Sequence, residues 1–172
     1  MASIRPARVV VVDASVLINF IHVDRLDILG RLSGFEFVVP EQVVAEVSDP
    51  DQAPKLADAL QAGHLQKEPS VAPLELEIFA ELRQIMGRGE AACLAMAQTR
   101  QWLIACDERG VFLRQAQAQL GADRIMNTPG ILLLAIRQGI LAVEEADHLK
   151  DILEHHRFKM NFVSFREIFL RS

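Results

Sequence analysis

The chain has 172 residues, 51% hydrophobic and 24% charged, with a formal charge of −5. That profile suits one packed domain, 1–172, that needs no disulfides. The negative balance excludes a coat protein that binds nucleic acid by general phosphate neutralisation, but not an enzyme that meets nucleic acid at one local site.

Val9-Val10-Val11-Val12 is a β-branched run ending at Asp13, which predicts a buried parallel strand. Helical composition follows over Ala14–Ile21. A second helical stretch begins at Asp24, with Leu26, Ile28, Leu29 and Leu32 on its apolar face. Phe35–Val39 reads as strand two, Pro40 as a first helical position, and Glu41–Val47 as the helix it opens. Pro50 and Pro54 mark a loop. Lys55–Ala62 reads as a short helix stopped by Gly63, and Leu65–Lys67 as an edge strand. Leu74, Ile78, Leu82 and Ile85 have helical spacing, which predicts an amphipathic helix over Leu74–Met86.

Gly87-Arg88-Gly89 breaks that pattern, and Glu90–Thr99 then reads as a helix of small residues able to lie close on a sheet. Trp102–Cys106 is a strand ending at Asp107. Val111–Leu120 is a helix closed by Gly121, Arg124–Met126 a short strand, and Pro129–Gln138 a helix ending at Gly139. Two more helices are expected over 144–156 and 165–171, the last with Ser164 and Glu167 at capping-box spacing. The alternation predicts an α/β/α sandwich around a mostly parallel sheet, with a helical C-terminal end over 140–172.

In such sheets ligands bind beyond the carboxyl ends of the strands. Asp13 and Asp107 stand at two such ends, Glu90 follows a glycine-rich break, and Glu46 lies in the helix after strand two. Each has an ordinary role as well. Asp13 and Asp107 would serve as helix N-caps, Glu90 would complement a helix N-terminus, and Glu46 would sit in solvent. Taken together they form an acidic cluster that needs protons or cations to relieve its repulsion. Hard oxygen donors without Cys or His suit Mg²⁺ or Mn²⁺, and such ions support phosphodiester cleavage.

These blocks resemble the PIN-domain ribonucleases, in a toxin-like subgroup. Val9–Ile18 is similar to their opening strand and first acid, and Val39–Val47 to their second-acid helix. Gly87–Ala97 carries the Gly-x-Gly-Glu-Ala form of the third, Trp102–Gly110 resembles the fourth-acid strand and turn, and Asn127–Leu132 a Gly-Thr-containing turn. The resemblance covers about residues 8–138.

The resemblance implies a PIN-like fold and an Mg²⁺- or Mn²⁺-dependent endoribonuclease. Asp13, Glu90 and Asp107 would be the metal ligands and Glu46 a fourth catalytic acid, with Ser15 and Thr128 in support. It also implies an RNA substrate and, for many members, a small antitoxin. In two places the chain departs from the pattern. Glu108-Arg109-Gly110 stands where a second Asp often follows the strand, and Asn127 stands where the subgroup often has Gly.

Arg88, Arg109 and Arg114 lie in or beside the blocks and would grip RNA phosphates, or else screen the acids or face solvent. Cys93 and Cys106 sit among apolar neighbours and away from zinc-ligand spacing, so they are expected as buried free thiols. His155 and His156 are expected on the surface. Phe158, Phe162, Phe165 and Phe169 have the spacing of one helical face, expected to serve core packing, a homodimer contact or a partner helix.

No apolar stretch approaches the roughly 20 residues of a membrane span. The run after Arg5 and Arg8 is too short for a signal peptide, so a cytoplasmic protein is expected. A non-catalytic PIN-like module that binds RNA or protein is the alternative. A haloacid-dehalogenase-like phosphatase would need a second Asp where Ser15 stands.

Overall fold

Val10, Val11 and Val12 expose no surface at all. Full burial of such a side chain stabilises by roughly 1.5–3 kcal/mol, so this run is drawn to the middle of a layered fold. In the computed structural model, which describes residues 6–69 and 72–171, the strands are β1 (Arg8–Val12), β2 (Phe35–Pro40), β3 (Gln66–Glu68), β4 (Leu103–Ala105) and β5 (Ile125–Met126). They form one all-parallel sheet in the order β3-β2-β1-β4-β5.

The helices are α1 (Ala14–His22), α2 (Asp27–Arg31), α3 (Glu41–Glu46), α4 (Ala53–Gln61), α5 (Leu76–Leu82), α6 (Arg88–Arg100), α7 (Val111–Leu120), α8 (Thr128–Arg137), α9 (Val143–His155) and α10 (Phe165–Phe169). α1 packs with α8 and α9, while α6 packs with α7 and against β1, β2 and β4. Right-handed crossovers put these two groups on opposite faces. α6 is buried from Ala91 through Ala97. Its small side chains let it lie close to the sheet.

The chain leaves β1 in one direction to build β2 and β3, and leaves β4 in the other to build β5. The order therefore reverses between β1 and β4, which pair with Val12 opposite Ala105. At such a reversal the connections diverge and open a crevice beyond the strand ends.

Four expectations need correction. Pro40 ends β2 in an extended conformation instead of opening α3. The second helix begins at Asp27, because Asp24 takes a left-handed φ of 54°. Only Leu76–Leu82 of the expected amphipathic helix is α-helical, and Leu74 is 78% exposed. Pro73–Glu75 is a 3₁₀ turn that buries Glu75 instead, where Arg100 Nε donates to it at 2.8 Å. The four phenylalanines do not share a helix: α9 stops at His155, and only Phe165 and Phe169 are helical. Phe165 is fully buried, with Phe162 packed edge-on against it.

Both cysteines are buried and free. His155 and His156 are exposed, and His156 stacks on His22 with ring centroids 3.8 Å apart. No helix of the described residues is long and apolar enough to cross a membrane.

Candidate active site

Asp13 is the first residue beyond β1 and caps α1, accepting from Ser15 N–H at 3.3 Å. Its backbone N–H still belongs to the sheet, donating to Ala105 at 2.9 Å. It is 3% exposed, and its Oδ2 also accepts from Ser15 Oγ at 2.8 Å. The same Ser15 Oγ accepts from the backbone N–H of Asp107 at 3.1 Å. One hydroxyl thus ties together the chain ends beyond β1 and β4.

Asp107 is held from three directions. Its Oδ1 accepts from Thr128 N–H at 2.8 Å, and its Oδ2 from Asn19 Nδ2 at 2.8 Å and from the Thr128 hydroxyl. A carboxylate offers about four acceptor sites, so one remains. Asn127, in place of the subgroup's glycine, caps α8 by accepting from Gly130 N–H at 2.9 Å. The departure at this position is therefore structural.

Glu90 is the third residue of α6, because that helix begins at Arg88. Its Oε2 accepts from Gly87 N–H at 3.2 Å, half of a capping box whose other half glycine cannot supply. Glu46, at the end of α3, reaches the same helix start, where Gly89 N–H donates to its Oε1 at 2.8 Å. A Cβ on Gly89 would meet the Glu46 carboxyl carbon at 2.8 Å. The second glycine of Gly87-Arg88-Gly89-Glu90 is thus the space that lets Glu46 approach.

Electrostatics link these acids. Burial pushes the carboxyls of Asp13 and Asp107 above the usual range, against the lowering effect of their hydrogen bonds, and Asp13 pushes Asp107 up further. Glu90 is raised by burial, then by Asp13 and Glu46. Glu108 joins them, raised by burial and then by Asp13, Glu90 and Asp107. Cys106 is pushed up to about 12 by burial and then by Asp13, Asp107 and Glu108, so it stays a thiol.

Sequence reasoning missed two members of this cluster. Glu108 had a visible signal, since it follows Asp107 directly where a second acid is expected. Asn19 had a weaker one, a lone amide in the apolar run Leu17–Ile21, and it is 7% exposed. Among the arginines, Arg109 lines a groove beside Asp107 and Arg88 a separate one beside Glu46. Arg114 is exposed on α7 and lines neither.

Among the described residues, no three His, Cys, Asp or Glu side chains are so arranged that they would hold a metal ion as they stand. The donor chemistry nevertheless fits a hard divalent cation. The cluster offers only oxygen ligands, and its mutually raised carboxyls are relieved by positive charge. A family model described as a PIN domain matches residues 9–168. No curated protein matches the chain.

Proposed function

The chain belongs to the PIN-domain family, whose fold is nuclease-like, and from that membership we propose that it is a metal-dependent ribonuclease hydrolysing RNA phosphodiester bonds. The observation that carries this reading is the Ser15 bridge, 2.8 Å from Asp13 Oδ2 and 3.1 Å from the Asp107 amide, at the crevice between β1 and β4. When bound, Mg²⁺ or Mn²⁺ would neutralise phosphate charge and make a bound water more acidic. Asp13, Glu90 and Asp107 are the residues that would hold it.

The remaining work falls to the chain itself. Ser15, Asn19 and Thr128 hold the two aspartates side by side beyond β1 and β4. Glu46, anchored by Gly89, orients the attacking water. Glu108 stands beside Asp107 in the wall of the groove, where its carboxylate would take the proton that water releases and pass it to the departing 3′ oxygen.

From the resemblance of its motifs to the toxin-like subgroup we also propose a toxin role, with a small antitoxin as partner. Val163 at 80% exposure and Leu170 at 77% offer apolar surface to that partner or to a second copy. Asp13→Asn, incubated with RNA and Mn²⁺, should lose cleavage while keeping the parent's circular dichroism, and should relieve any growth arrest that expression causes. Cleavage at the parent's rate would sink the proposal.

The second reading, a non-catalytic module, is favoured by the three donors already on Asp107. It expects the parent to bind RNA or a protein and to leave RNA intact.

A further inference from the structure

The acid cluster opens at one side into a groove of about 940 Å³. Asp107 and Glu108 stand in its wall. Arg109, Arg157 and Lys159 line it as well, and Ile125, Phe158 and Phe162 supply apolar surface. Three cations thus face two carboxylates in this groove, on a chain whose overall charge is −5. The cations are uncommitted. Among the described residues none of the three makes an ion pair, whereas Arg25, Arg31, Lys55, Arg100, Lys150 and Arg166 all do.

The turn after α9 sets this wall. Phe158 N–H donates to Leu153 at 2.9 Å and Arg157 N–H to Glu154 at 3.0 Å, the paired bonds of a Schellman ending. Its left-handed position, φ 66°, is taken by Arg157 where glycine would be unstrained. Asp24 and Gln101 also take left-handed φ, so the conformation alone signals nothing. Asp24 and Gln101 line other surface pockets, whereas Arg157 lines the groove that holds Asp107 and Glu108, with Phe158 beside it and Lys159 next.

We infer that segment 157–162, together with Arg109, is the channel by which single-stranded RNA reaches the acid cluster, an inference that rests on the ribonuclease reading. The cations take successive phosphates. The apolar surface takes bases, which present their faces only when unpaired, so a duplex does not fit this chemistry.

The test is fluorescence anisotropy of a labelled single-stranded RNA in EDTA, where binding is read without cleavage, beside cleavage assays in Mn²⁺. The triple variant R109Q/R157Q/K159Q should bind at least about tenfold more weakly. Its log–log salt slope should flatten by about 2, near 0.7 for each phosphate that the cations no longer neutralise. Arg8→Gln, at the opposite end of β1, should bind like the parent. Arg157→Gly should melt no lower than the parent and still bind more weakly, which separates RNA contact from folding.

A parent that binds no RNA, a triple variant that binds and cleaves as the parent does, or a parent that binds duplex and single strand equally would each overturn the channel. RNA bound through these cations yet never cleaved in Mn²⁺ would instead sink the ribonuclease reading and leave the channel standing.

Discussion

A single hydroxyl, that of Ser15, is hydrogen-bonded to both strand-end aspartates. It fixes them where their charges interact, and Glu90 and Glu108 feel the result. A carboxyl whose folded pKa is raised adds stability below its unfolded pKa and loses it as pH rises through the folded value. For these groups the contribution is present below about 4 and falls away toward neutrality without metal. Asp27, held low overall by its bonds to Arg25 and Arg31 against the raising effect of burial, runs the other way and is lost as pH falls. Glu90→Gln should therefore melt higher than the parent in EDTA at about pH 7 and match it at about pH 4. Thermal melts at the two pH values check this, and a variant that melts lower at neutral pH would show that Glu90 is not under repulsion.

At this scale the sequence is readable where a strand ends in an acid, as at Asp13 and Asp107. It is not readable where a side chain's partner lies far along the chain. Asn19 meets Asp107 across 88 positions, and nothing local in its helix reveals that.

Among the elements, the start of α6 is where two of the acids meet. Glu46 arrives from α3 and bonds Gly89, and Glu90 turns back to Gly87. Gly89→Ala would drive a methyl against the Glu46 carboxyl. The expected cost is about 1–3 kcal/mol of stability from overpacking. Cleavage should fall by about 10², since a displacement near 1 Å has that effect. Chemical denaturation and RNA cleavage measured on one preparation check both, and full activity would detach Glu46 from the site.

The elements also show why periodicity misleads. Leu74, Ile78, Leu82 and Ile85 predict a long helix, but Arg100 holds Glu75 at 1% exposure and turns Leu74 outward. A buried ion pair overrides an apolar pattern, and its two members are 25 positions apart. The phenylalanine series misleads for a related reason: spacing cannot report the Schellman ending that stops α9 before Phe158.

For the whole molecule, the strand order β3-β2-β1-β4-β5 decides where chemistry can occur. The alternation of strands and helices is legible because β-branched runs and small-residue helices each carry their own pattern. The order is not legible from pattern alone, since it depends on which side of β1 each crossover returns to. The acids therefore had an expected rim but no expected distances. The ribonuclease proposal requires a divalent cation shared by the acids on this rim, and calorimetric titration of Mn²⁺ into the parent and Asp13→Asn tests it most directly. The expected result is saturable binding by the parent that Asp13→Asn loses. No binding by the parent, or equal binding by both, would contradict it.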